Sequence, residues 1–355
     1  MLNWGFIGAG VIARVFCNAL RFSKTGQAYA VASRSGDNAQ QLARDFELPK
    51  WYLSYEGLLA DEDVDVVYIS TIHPEHKPWV LKAAEAGKHI LVEKPIGMNA
   101  QEAQVMIDAA NKHNVFLMEA FMYRCHPQTT RLIEVLHQGV IGQVHMLRAT
   151  LSFQGPEDQQ SRLYAKELGG GSILDVGCYP ASAARMIAGV ASGQRFSEPV
   201  AVKAVAKFGP TEVDLYSAAV LRFENGIIAQ LACGVDCERE SQVVIYGSRG
   251  YITVPVLWVP SSPVRFAQEP LPLDTTFPPS TFTVNYHDER PSEEVTVQLD
   301  RDLYTYEADT VANYLQHRQS PYMSWNDTLG NMQLLDKWRQ EISLQYRADR
   351  ENFLD

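Results

Sequence analysis

The pattern of apolar and polar positions splits the chain into two rhythms. In the first third, short apolar runs at residues 2–7, 28–32, 65–70, 89–92 and 115–120 alternate with stretches of helical period. Val11, Ile12, Val15, Phe16, Ala19 and Leu20 share one helical face, and Ala39, Leu42, Ala43 and Phe46 share another. A helix from about His76 ends near Gly87, a residue suited to a left-handed helix end. Asn99 caps a further helix, with Glu102 as its capping-box partner. Continuous apolar strands between amphipathic helices predict a parallel sheet covered on both faces. This unit is expected over residues 1–122.

Residues 123–355 read differently. A helix is expected over 127–138 and a strand over 143–153. Gly169-Gly170-Gly171 then forms a turn before a helix from about Asp175. Alternating stretches at 200–208, 213–223, 227–235 and 242–246 predict an antiparallel sheet. Glu224-Asn225-Gly226 signals a hairpin with a type I′ turn. The Pro-rich, polar segment 257–293 reads as long loops, and helices are expected at 302–317 and 327–346. The fold class is therefore α/β: a parallel-sheet unit, then an α+β unit with a large, mostly antiparallel sheet.

A formal net charge of −11 would repel phosphate backbones, so nucleic acid is not an expected partner. No apolar run reaches the ~18 residues of a membrane span. The first residues lack a basic segment and a small-residue cleavage site, so no secretory signal is expected. Five scattered cysteines imply no disulfide framework and suit a reducing cytoplasm. Cys233 and Cys237 are the only close pair, with no second pair to complete a metal site, and no metal is expected.

Gly8-Ala9-Gly10-Val11-Ile12-Ala13 follows the first strand and opens the first helix. Such a turn lets backbone approach a pyrophosphate, which the helix N-terminus attracts. In this context it predicts a Rossmann dinucleotide site. The second strand ends in Ser33-Arg34-Ser35 where an acidic residue would bind a ribose 2′-hydroxyl. A hydroxyl and a guanidinium suit a 2′-phosphate, which favours NADP over NAD. Glu93-Lys94-Pro95 stands at the carboxyl end of the fourth strand, where ligands of open α/β sheets bind. Asp175 and Tyr179, four apart, would share one helical face. A tyrosine passes protons if a cation lowers its pKa, a role Lys94 is placed to fill. Taken alone, Lys94 reads equally as a surface lysine, Asp175 as an N-cap and Tyr179 as a core aromatic.

Together these residues resemble the glucose-fructose oxidoreductase/inositol dehydrogenase/rhizopine catabolism (Gfo/Idh/MocA) family. The resemblance rests on Gly8-Ala9-Gly10, Thr71-Ile72-His73-Pro74-Glu75-His76, Glu93-Lys94-Pro95, the 169–179 segment and Ile245-Tyr246-Gly247-Ser248-Arg249-Gly250. It implies a Rossmann domain followed by a mostly antiparallel sheet, and a homo-oligomer, dimer or tetramer, formed through that sheet. It implies that Lys94 is catalytic and touches substrate and nicotinamide ribose, with a cis bond before Pro95. It also implies cofactor contacts at Thr71, His73, His76 and Glu93, less securely at His73, which replaces the usual asparagine. Tyrosine at 179 is similar to the glucose-fructose oxidoreductase, dihydrodiol dehydrogenase and xylose dehydrogenase branches, as is the segment 119–127.

The expected chemistry is reversible hydride transfer between NADP and a carbinol carbon of a sugar or sugar-like polyol. Tyr179 would take the hydroxyl proton, Lys94 would stabilise the developing charge, and Asp175 would orient other hydroxyls. One alternative is a trans-dihydrodiol dehydrogenase with an apolar wall from Tyr123, Phe153, Tyr164 and Trp258. A ketosugar or dicarbonyl reductase is equally compatible. A non-catalytic NADPH-binding redox sensor has no need for both Lys94 and Tyr179. Arg124, Arg162 and Tyr164 are expected beside the substrate, from their proximity in the chain to the other site residues.

Overall fold

The computed structural model describes residues 1–156, 158–238, 240–267 and 269–351. The short apolar runs form β1 (Leu2–Ile7), β2 (Gly26–Ala32), β3 (Lys50–Tyr52), β4 (Val66–Ile69), β5 (His89–Glu93) and β6 (Leu117–Ala120). They pair entirely in parallel, in the order β3-β2-β1-β4-β5-β6. All four residues of β4 are buried, as strands with helices on both sides require. The covering helices are α1 (Val11–Leu20), α2 (Gly36–Asp45), α3 (Tyr55–Leu59), α4 (His76–Glu85) and α5 (Ala100–Lys112). β3 and α3 lie where no element was expected, because three and five residues are too short to display a period. Asn99 does cap α5 by accepting from the Glu102 N–H, but the Glu102 carboxylate reaches Met98 N rather than closing the box on Asn99. Strand order reverses between β1 and β4, which opens a crevice beyond their carboxyl ends.

The second sheet follows α6 (Pro127–His137). It comprises β7 (Val144–Ser152), β8 (Pro199–Phe208), β9 (Asp214–Phe223), β10 (Ile228–Gly234), β11 (Val243–Gly247), β12 (Gly250–Val254), β13 (Ser280–Tyr286) and β14 (Glu293–Val297). Their order is β14-β13-β12-β11-β7-β10-β9-β8. β7 and β10 run parallel and the other neighbours antiparallel. One face packs on α7 (Cys178–Val190), which is buried along its whole length. The other leaves Val205, Tyr216 and Val220 exposed.

Two local expectations need correction. The β9–β10 hairpin exists, but only Gly226 has a positive φ (+84°), and its N–H donates to Phe223 O at 3.0 Å. That is a three-residue loop ending in a glycine bulge, not a type I′ turn, which needs positive φ at Asn225 as well. The segment 257–293 is not all loop. It holds a short helix α8 (Pro263–Phe266) and β13, whose Phe282 and Val284 are buried in alternation, and β14 begins at its end.

The chain closes with α9 (Leu303–Tyr314), α10 (Trp325–Glu341) and α11 (Ala348–Glu351). These return to the first sheet. Thr305 Oγ1 donates to Ala19 O at 2.8 Å, and Ser23 and Thr25 donate to Asp309. Asp336 accepts from Ala100 N, and Arg339 donates to Met98 O. Beneath them, Asp327 is held between the buried Arg124 and Arg185. Among the described residues, no helix is long and apolar enough to cross a membrane.

Candidate active site

The site is built where three strand ends meet. β1 runs into Gly8, whose φ of +105° suits glycine, and a Cβ there would sit 3.0 Å from Ser70 Oγ. At Gly10 the added Cβ would meet nothing within 4 Å, so backbone faces open space at the start of α1. No side chain caps that helix, which leaves its first N–H groups available to an anion. Gly8, Gly10, Val11 and Ile12 line a cavity of about 700 Å³. Ala9 packs towards the core instead.

Arg34 lines the same cavity, beside Tyr55. Ser33 is buried behind it, and its Oγ accepts the Ser35 N–H, which shapes the turn that carries Arg34. Thr71 lines the cavity after β4, and its buried Oγ1 has no hydrogen-bond partner among the described residues. An orphaned hydroxyl is costly unless something else engages it. An open glycine turn, an uncapped helix start and an orphaned hydroxyl in one cavity fit a nicotinamide dinucleotide.

At the end of β5, Glu93 accepts from the Tyr68 hydroxyl at 2.5 Å, and the Lys94–Pro95 bond is cis. The turn rests on Glu119 of β6, which accepts from Ile96 N at 2.9 Å. Burial pushes the Glu119 carboxyl up to about 8. His76 is not on the cavity wall: its ring bridges Thr71 O (3.1 Å) and Pro95 O (3.0 Å), so it ties two cavity loops together from behind. His73 does line the cavity, with Nδ1 3.2 Å from Gly169 O. Burial, then the neighbouring His76, pushes it down to about 3, so it is neutral.

The glycine-rich turn brings the opposite wall. Gly171 has φ +113°, and a Cβ there would collide with Asp214 Oδ1 at 2.4 Å. Asp214 in turn accepts from Ser172 Oγ and Ile173 N. The helix begins three residues earlier than expected, at Ser172, with the Asp175 N–H on Gly171 O. Its first turn, Ile173–Gly177, is π-helical and runs straight into α7, so Asp175 lies inside the helix and caps nothing. Its carboxylate faces the cavity and takes Arg162 Nη1 at 2.8 Å and Lys94 Nζ at 3.5 Å. Burial would raise this carboxyl, but Lys94, Arg162 and His73 outweigh it and hold it well below the carboxylate range.

Lys94 Nζ donates to Asp175 O at 2.7 Å and lies 5.2 Å from the centre of the Tyr179 ring. It therefore meets the face of that ring and not its hydroxyl, which points at Met122 Sδ 3.5 Å away. The phenol is not lowered by Lys94. Burial, then Glu93, pushes it well above its usual value, and the opposing cation is Arg265. Nothing in the local sequence marked Arg265, which reaches the cavity from α8, nor Tyr304 from α9.

Of the residues expected beside the substrate, Arg162 lines the cavity, and Arg124 and Tyr164 do not. Arg124 is buried against Asp327 and Ser182, and the Tyr164 hydroxyl donates to Val235 O. Closeness in sequence misled there, because both side chains turn into the core. Phe153 and Trp258 do line the cavity, with Leu151 and Val259. Trp258 is fixed by its Nε1–H to Thr150 O at 2.9 Å and meets Tyr179 edge-on. Tyr123 lies behind it, bonded to Ser182.

Comparison with known proteins gives a consistent result. Residues 2–121 match the model described as oxidoreductase family, NAD-binding Rossmann fold, of GFO/IDH/MocA proteins. Residues 129–253 match the GFO/IDH/MocA C-terminal domain. The mouse protein named trans-1,2-dihydrobenzene-1,2-diol dehydrogenase is 31% identical over 353 residues, covering 98% of this chain and 99% of that one. Its zebrafish counterpart is 32% identical over 354 residues, with 98% and 99% covered. A solved structure of KijD10, a 3-ketoreductase from Actinomadura kijaniata in complex with NADP and TDP-benzene, superposes with a TM-score of 0.83. It is 26% identical and covers 96% of this chain and 98% of its own. An aldose-aldose oxidoreductase from Caulobacter crescentus, 21% identical with a TM-score of 0.79, shares the fold over 96% of this chain and 97% of its own.

Proposed function

The chain belongs to the Gfo/Idh/MocA family of NAD(P)-dependent oxidoreductases, and from that membership we propose that it transfers hydride between NADP and a ring carbinol, with Lys94 and Tyr179 at the reacting centre. The observation that carries this reading is their apposition, 5.2 Å from ammonium to ring centre, in the cavity that also receives the Gly8–Gly10 turn. A bound nicotinamide would supply the hydride acceptor or donor. Gly8, Gly10 and the start of α1 would hold its diphosphate, Arg34 the 2′-phosphate and Thr71 a polar group near the ring. The absence of a carboxylate at the end of β2 supports NADP over NAD, as does the NADP bound by KijD10.

The residues divide the work by their surroundings. An ammonium has three donors, and Lys94 directs one at Asp175 O and a longer one at the Asp175 carboxylate, which leaves one for a substrate oxygen. Its charge stabilises the oxyanion as the C–H bond breaks. Tyr179 exchanges the hydroxyl proton. Its raised pKa keeps the phenol protonated, so the proton is in place for the reductive direction, and in the oxidative direction Arg265 offsets the phenolate. Asp175 keeps Lys94 and Arg162 in place, ionised throughout the working range.

The first candidate substrate is a sugar or sugar-like polyol, whose ring face would lie on Trp258. A second reading, an aromatic trans-dihydrodiol, is favoured by the apolar wall of Leu151, Phe153, Trp258 and Val259 and by the names of the full-length relatives. We also assign residues 1–122 to cofactor and 123–355 to substrate. We propose as well a cytoplasmic location, which the scattered cysteines suit, and a homo-oligomer through the open face of the second sheet, which the exposed Val205, Tyr216 and Val220 support. The test is nicotinamide absorbance with NADP⁺ and NAD⁺ separately, over pyranoses, inositols and aromatic trans-diols. Turnover with NADP⁺ well above NAD⁺ is expected. Normal turnover by a folded Lys94→Ala protein would sink the assignment of the reacting centre.

A further inference from the structure

We propose that the substrate carries an anionic substituent, a carboxylate or phosphate, held between Arg162 and Arg265 at the mouth of the cavity. This rests on Lys94 and Tyr179 being the reacting centre. Arg162 comes from the loop after β7, with one guanidinium nitrogen on Asp175 and 53% of its side chain exposed. Arg265 comes from α8, is exposed and lines the same cavity, close enough for its charge to act on Arg162. Its backbone N–H meets Ser262 Oγ, but its guanidinium makes no hydrogen bond or ion pair among the described residues.

The other charges at this end are accounted for. Lys94 and Arg162 share Asp175, and Glu93 is engaged by Tyr68 and by the Lys94 N–H. Arg265 is the surplus charge. The two arginines lie within each other's field, and each repels the other. Like charges held together around an open space are costly unless an anion enters between them. On a chain of net charge −11, the general field does not gather anions, so this local positive site must be built by these side chains. Its location favours substrate over cofactor. Arg265 feels Tyr304, Tyr179 and Glu93, at the reacting end, whereas Arg34 marks the other end. A ring lying on Trp258 would leave its substituent at the mouth, where two guanidinium forks can grip it from both sides.

The test compares kcat/KM with saturating NADP⁺ for pyranoses, the matching uronates and the matching hexose phosphates, alongside fluorescence titration with NADPH. The wild-type protein is expected to prefer one anionic class over neutral sugars by about 10- to 100-fold. Which class wins separates a carboxylate from a phosphate substituent. Arg265→Gln should cut that preference about tenfold or more, Arg265→Lys should keep part of it, and the Kd for NADPH should move less than about twofold. A wild-type preference for neutral sugars or diols overturns the proposal and leaves the hydride-transfer reading intact. Weakened NADPH binding by Arg265→Gln also overturns it, by assigning the arginine to cofactor. A protein that binds NADPH yet turns over neither class overturns the hydride-transfer reading and this one with it.

Discussion

Two clusters in this molecule use the same chemistry to opposite ends. In one, Asp327 gives one oxygen to Arg185 at 2.6 Å and the other to Arg124 at 2.7 Å. Glu198 and Ser182 take further guanidinium N–H groups, and all but the half-exposed Glu198 are buried. In the other, Asp175 gives a single oxygen to both Arg162 and Lys94, at the edge of an open cavity. There, Lys94 keeps a donor in hand, Arg162 is half-exposed, and among the described residues Arg265 makes no ion pair and Thr71 Oγ1 has no hydrogen-bond partner. A completed charge network holds elements together. An uncompleted one, held rigid by its surroundings, is ready for a ligand.

The difference can be broken experimentally, beginning with the largest effect. Lys94→Ala should lower kcat by about 10³- to 10⁴-fold with little change in Tm, because the site cluster does not hold the fold. Asp327→Ala should do the reverse. It strands two buried guanidinium groups and should destabilise by about 3–5 kcal/mol in urea unfolding, with NADPH affinity of the folded protein preserved. Arg34→Ala should raise the Kd for NADPH about 10- to 100-fold and leave that for NADH nearly unchanged, as read by fluorescence.

Two smaller effects sharpen the contrast. Glu119, beneath the Lys94 turn, has its carboxyl raised to about 8 from an ordinary 4.5. The folded state therefore holds a proton that the unfolded chain releases. The stability this provides is complete below about pH 4.5 and is lost as pH rises to about 8. Glu119→Gln should flatten the fall in Tm over that window, at a cost of about 1–2 kcal/mol at low pH. Thr71→Val should have opposite effects on the two states. Removing the orphaned hydroxyl should stabilise the apoprotein by up to about 1 kcal/mol while weakening NADPH about 3- to 10-fold. A valine variant that binds NADPH normally would remove Thr71 from the cofactor site.

The parts legible in the sequence were those whose signal is local. Gly8 and Gly10 sit in one turn between a strand and a helix, and β1, β4 and β5 are short, mostly apolar runs. β14 was illegible because it is a polar edge strand, with only Val295 buried. β13 does alternate, through Phe282 and Val284, but proline-rich sequence on its N-terminal side hid the signal. Arg265 and Tyr304 enter the cavity from elements far along the chain, and no spacing announces that. The Lys94–Tyr179 pairing was foreseeable as a neighbourhood but not as an orientation, since the ammonium meets the ring face and the hydroxyl meets Met122.

The return of α9 and α10 onto the first sheet has a consequence for synthesis. Ser23, Thr25, Ala19 and Ala100 all wait for partners at residues 305–336. A ribosome delivers those partners long after the first unit. The nascent first unit must therefore leave the tunnel with one flank of α1 uncovered, and remain so while some two hundred residues are translated. Its final closure then waits on residues 305–336, and a stall before them would release a chain with its nucleotide fold formed but unclasped.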